Sequence, residues 1–182
     1  QRQMCIRDSS NVSNLQFSEE IYFDVIRKKT AVLFAACTKA GALSVGVTDE
    51  QAEFARLFGE YIGLCFQIKD DIFDYYDSKK IGKPTGNDML EGKLTLPVLY
   101  ALNATHDRTA EEIAMKVKDG TATSDEIARL IEFAKQQGGI EYAVEAMHAY
   151  KEKALSLLAT LPDTDVKTAL TAYLDYVVDR DK

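Results

Sequence analysis

The chain has 182 residues, 46% hydrophobic and 28% charged, with a formal net charge of -7. That balance excludes a disordered chain, and no apolar run approaches the ~20 residues of a membrane-spanning helix. The acidic excess argues against nucleic acid as a partner. Three cysteines, Cys5, Cys37 and Cys65, show no CxxC spacing and fit a reducing, cytoplasmic setting. Cys37 and Cys65 lie in apolar helical context, where small buried hydrophobes are expected.

Residues 1–9 carry no amphipathic period and no signal-peptide apolar region, and read as a non-native junction. A single domain is expected over 10–182. Ser18 before Glu19, Glu20 and Ile21 is an N-cap with acidic first-turn residues. Ile21, Val25, Ile26, Val32, Leu33 and Ala36 then carry a helix to about residue 42. Gly41, Ser44 and Gly46 break it, and Thr48-Asp49-Glu50-Gln51 offers a capping box to a second helix over 49–76. Between 77 and 95, lysines, glycines and Pro84 replace apolar residues. This is a loop of about 15 residues, a length that usually serves function. A short helix is predicted over 97–103, and further helices over 110–119, 124–137, 140–159 and 163–180, with Leu161-Pro162-Asp163 between the last two. No segment alternates as a strand does, so the fold class is all-α.

One stretch of the second helix carries chemistry. At about 100° per residue, Asp70 and Asp74 are about 40° apart, and Asp71 and Gln67 fall in the same arc. Like charges at these spacings repel, and a divalent cation removes the penalty. Oxygen donors without His or Cys select a hard ion, with magnesium favoured where phosphate oxygens complete its shell. A solvated acidic helix face is the plain alternative. Against it stand Gly59 and Gly63 on the same stripe, since each costs about 1 kcal/mol in a helix interior unless something bulky lies against it. The loop supplies opposite charge through Lys83 and Lys93, placed beside glycines, and Lys29-Thr30 adds a cation and a hydroxyl. His106 and His148 are expected on the surface.

The runs Tyr22-Phe-Asp-Val-Ile-Arg-Lys-Lys-Thr-Ala31, Phe66-Gln-Ile-Lys-Asp-Asp-Ile-Phe-Asp-Tyr75 and Gly82-Lys-Pro-Thr-Gly-Asn-Asp-Met-Leu-Glu-Gly-Lys-Leu-Thr-Leu-Pro97 resemble the trans-isoprenyl diphosphate synthases. The likeness is greatest to bacterial long-chain, octaprenyl-type enzymes and extends from about residue 10 to the end. It implies an isoprenoid synthase-type helical bundle, truncated at the N-terminus, that condenses isopentenyl diphosphate with an allylic prenyl diphosphate. Asp70, Asp71 and Asp74 would be the second aspartate-rich motif, binding Mg2+. Lys29, Thr30, Gln67, Lys83 and Lys93 would contact or neutralise the allylic diphosphate, and Gly59 and Gly63 would face the growing prenyl tail. The resemblance also implies a homodimer. It places the first aspartate-rich motif upstream of this chain, so little or no turnover is expected from residues 1–182 alone. The alternatives are a non-catalytic subunit of a heteromeric prenyl synthase and, less in keeping with the loop motif, a terpene cyclase.

Overall fold

The computed structural model describes residues 17–76 and 85–181. The junction over 1–9, Cys5 and Lys83 lie outside the described residues. Helix α1 (Glu19–Ile26) begins as expected at Ser18, whose hydroxyl accepts the Ile21 N–H at 3.3 Å. It runs through a π-helical turn, Arg27–Ala31, into α2 (Val32–Leu43). Tyr22, Ile26, Ala31 and Ala35 are all buried, so the inward positions step by four, then five, then four. An unbroken α-helix would rotate Ala31 away from that line, and the wider turn keeps one face inward.

Helix α3 (Asp49–Phe73) starts at the expected capping box. Thr48 Oγ1 accepts the Gln51 N–H at 3.3 Å, and Gln51 Oε1 accepts the Thr48 N–H at 3.0 Å. Its 25 residues extend about 37 Å at ~1.5 Å each. Phe58, Ile62, Leu64, Cys65, Ile68 and Ile72 are buried on several of its faces, which makes α3 the central post of the core. The chain then forms α4 (Asn87–Leu90), α5 (Leu96–Thr105), α6 (Arg108–Lys118), α7 (Ser124–Gln136), α8 (Gly139–Ala159) and α9 (Asp165–Asp179). Helices α2 and α8 pack along α3, with α9 also against it, while α7 joins through α5 and α8. The described residues contain no strand, and the all-α expectation holds.

Three local expectations change. The stretch predicted as loop over 77–95 contains α4, which begins after Gly86 at a φ of +77°. Cys37 is exposed, not buried, because α2 carries apolar residues on both faces and Cys37 lies with Leu33 on the outward one. Cys65 is buried as expected, and burial pushes its thiol up to about 12.

The third change concerns Gly59 and Gly63. A Cβ at Gly59 would lie 2.2 Å from Thr38 Oγ1 and 2.6 Å from the Phe34 carbonyl oxygen. At Gly63 it would lie 2.5 Å from Ala31 Cα. The bulky object against this stripe is α2 and the π turn, not a prenyl tail. Glycine here permits two backbones to approach closely. Gly63→Ala is therefore expected to destabilise the chain by about 1–3 kcal/mol through overpacking. Gly41→Ala, where a Cβ meets nothing within 4 Å, is expected to be neutral or to stabilise by up to about 1 kcal/mol. Denaturant unfolding of the two variants checks this, and equal losses would contradict the close-approach account.

Candidate functional site

The predicted arc of carboxylates lies at the C-terminal end of α3, where α1, the π turn, α4 and the residue after α9 converge. Each aspartate meets a different partner. Asp70 Oδ1 accepts from Arg180 Nη2 at 2.6 Å, its side chain 36% exposed beside an arginine only 11% exposed. Arg180 also donates to the Phe66 carbonyl at 3.1 Å and lies over the Phe66 and Phe73 rings at 4.1 and 5.5 Å. Asp71 is 4% exposed and accepts from Tyr22 Oη at 2.7 Å on one oxygen and from Gln67 Nε2 at 2.8 Å on the other. Asp74 is the C-cap of α3, and its carboxylate accepts the backbone N–H groups of Asn87 and Asp88 at 2.9 and 3.0 Å. The Gly86 N–H reaches the Asp74 carbonyl at 2.9 Å. Asp74 thus fixes the start of α4 against the end of α3.

Thr30 and Gln67, predicted separately, are brought into direct contact. The Thr30 hydroxyl donates to Gln67 Oε1 at 2.6 Å across the interface of the π turn with α3. Lys29 is exposed next to them, and its positive charge acts on both Asp71 and Glu91. Lys93 is exposed and ion-paired with Glu91 and, at 3.7 Å, with Asp88. Glu91 is the first cause of the raised Lys93 pKa, so the ammonium stays charged. His106 and His148 are on the surface, as expected. Sequence reasoning did not assign Tyr22 or Arg180. The five-residue step between Ile26 and Ala31 marks the π turn, a feature frequent at functional sites. Nothing local marks either long-range partner.

The donor set is oxygen alone, which fits a hard divalent ion. Among the described residues, no three acidic, His or Cys side chains are gathered to hold an ion as they stand. Asp70 is the carboxylate with an oxygen, Oδ2, that accepts nothing among the described residues. Asp74 is partly buried, and burial raises its carboxyl above the usual range against the pull of the Asp88 and Asn87 N–H groups. Asp71 faces inward. A hard ion fits at Asp70 and Asp74 more readily than at Asp71.

A family model described as polyprenyl synthetase matches residues 2–134. The chain is 36% identical to a short chain isoprenyl diphosphate synthase of Methanothermobacter thermautotrophicus, over 92% of this chain and 51% of that protein. It is 32% identical to the octaprenyl diphosphate synthase of Escherichia coli, over 94% of this chain and 53% of that protein. Among solved structures, a geranylgeranyl pyrophosphate synthase from Bacteroides thetaiotaomicron is 69% identical, with a TM-score of 0.86 over 94% of this chain and 55% of that one. A polyprenyl synthase from Caulobacter crescentus, solved with calcium and isoprenyl diphosphate, is 34% identical with a TM-score of 0.82, over 91% of this chain and 51% of that one. The chain spans about half the length of the curated relatives it matches.

Burial of Asp71 has a consequence for stability. Its carboxyl is pushed from 3.8 up to about 7, chiefly by desolvation, against the opposing donors Tyr22 and Gln67. Between those values the folded chain keeps a proton that the unfolded chain has released. The stabilising contribution is full below 3.8 and is lost as pH rises through about 7. Unfolding free energies measured across that window are expected to fall with pH more steeply for the wild type than for Asp71→Asn. Parallel curves for the two proteins would contradict the burial.

Proposed function

The chain belongs to the polyprenyl synthetase family, and we propose that it carries one metal-and-diphosphate face of a trans-prenyltransferase. The reaction is the head-to-tail condensation of isopentenyl diphosphate with an allylic prenyl diphosphate. What supports this is one arrangement: the Thr30–Gln67–Asp71 hydrogen-bond chain and the partly exposed Asp70 share the C-terminal end of α3. A scaffold subunit has no use for polar side chains held this tightly beside an exposed carboxylate. The heteromeric, non-catalytic reading is therefore not favoured.

In this reading Asp70 and Asp74 hold the ion, and Asp71 stands behind them. Magnesium, when bound, supplies positive charge that stabilises the departing diphosphate. Lys29 and Lys93 add point charges for the diphosphate oxygens, and Lys83 is proposed to join them. Thr30 and Gln67 orient the group by hydrogen bonds. Ionisation of the allylic carbon then needs no protein nucleophile, in keeping with two histidines that both lie on the surface. Among the described residues no helix is long and apolar enough to cross a membrane. A cytoplasmic homodimer is part of the proposal.

Isothermal titration with inorganic pyrophosphate tests the site. Binding is expected only when Mg2+ is present. Asp70→Ala is expected to weaken it about tenfold or more, as loss of a charged ligand does, and Lys29→Ala about fivefold. Pyrophosphate binding that ignores Mg2+, or an unaffected Asp70→Ala, would overturn the assignment.

A further inference from the structure

Tyr22 is not among the residues assigned above to the diphosphate, yet it ends the hydrogen-bond chain that runs through them. Its ring is buried at 7% exposure on α1, and its hydroxyl lies 2.7 Å from Asp71 Oδ2, 49 residues away in sequence. The directions along the chain are fixed by donor chemistry. The Tyr22 hydroxyl donates to one Asp71 oxygen, and the Gln67 amide nitrogen, which can only donate, binds the other. With its nitrogen turned to Asp71, the Gln67 amide must turn its oxygen to Thr30, and the Thr30 hydroxyl donates to it. Each member sets the orientation of the next.

The consequence lies in what Gln67 has left to offer. One N–H of its amide is bound to Asp71, and the second has no acceptor among the described residues. An amide held this way presents a donor to an approaching anion. The opposite orientation would present a carbonyl oxygen, which repels it. Asp71 selects between the two, and it can do so only while its own rotation is blocked. Tyr22 supplies that block from a different helix.

We propose that Tyr22 is a positioning residue: through Asp71 it locks the Gln67 side-chain amide with N–H, not C=O, toward the diphosphate, and so orders Thr30 as well. This rests on the diphosphate reading of Gln67 and Thr30 and deepens it. Burial alone does not demand a tyrosine, because phenylalanine would fill the same space on α1. What phenylalanine cannot do is hold the second Asp71 oxygen, and a buried carboxylate oxygen without a donor turns to find another.

The test uses the 182-residue chain with its glutamine side-chain amides observed by 1H–15N NMR. In the wild type one Gln67 amide proton is expected to be shifted downfield and slow to exchange. In Tyr22→Phe that proton is expected to move toward the solvent-exposed glutamine value, while backbone amides of α8 stay in place. Mg2+–pyrophosphate affinity of the same sample is expected to drop about fivefold to tenfold, the worth of one misdirected hydrogen bond. If Tyr22 acts through Asp71, the double variant Tyr22→Phe/Asp71→Asn binds no more weakly than Asp71→Asn alone. An unmoved Gln67 signal, unchanged pyrophosphate affinity beside a moved signal, or additive losses in the double variant would each overturn the proposal. A wild-type chain that binds no pyrophosphate overturns the diphosphate reading instead, while the Gln67 signal still reports on the lock.

Discussion

Everything at the site depends on how closely the continuous α1–α2 arm approaches α3. Side chains at 59 and 63 would hold the two backbones apart, since even a methyl group at Gly63 would meet the Ala31 Cα at 2.5 Å. The π turn ends where this contact begins, and its extra residue brings Ala31 to the interface and Thr30 to the rim of it. Thr30 can then reach Gln67 with a 2.6 Å hydrogen bond, because a threonine side chain is short and tolerates no wider gap. The glycines thus serve the chemistry at one remove. They set a spacing, and the spacing sets which polar groups touch.

The same geometry divides three similar carboxylates among three tasks. Asp71 is enclosed by the arm and spends both oxygens on Tyr22 and Gln67. Asp74, a turn further on, leaves the enclosed region and binds the backbone that opens α4. Asp70 is turned to the other side, toward Arg180 at the end of α9, and keeps one oxygen open. Arg180 is held by the Phe66 carbonyl and two aromatic rings, so its charge sits at a defined place beside Asp70 rather than wandering in solvent. Its Nε is buried without an acceptor among the described residues, a cost that neighbouring charge-assisted bonds offset. Burial, not sequence, distinguishes the aspartates.

The helices were legible because their apolar spacing and caps are local. Ser18 and the Thr48–Gln51 pair declare their helix starts within four residues. The arc of Gln67, Asp70, Asp71 and Asp74 was legible for the same reason, since one helical period places them together. The glycine stripe was half legible. Two glycines in a helix announce that something is near, but only the partner's backbone says what, and here it is α2. Cys37 misled because α2 is apolar on both faces, so periodicity could not choose its inner side. Tyr22 and Arg180 were out of reach. Their partners are 49 and 110 residues distant, and nothing sets Tyr22 apart within α1 or Arg180 just after α9.

The proposed function requires that a divalent ion and a diphosphate meet this chain at the C-terminal end of α3. Paramagnetic broadening of backbone amide signals by Mn2+, with inorganic pyrophosphate present, locates the ion directly. Broadening is expected to centre on Asp70 and Asp74, to reach Thr30 and to fade along α3 toward Phe58. Broadening centred on the acidic start of α9, at Asp163 and Asp165, or spread evenly over the acidic surface, would contradict it.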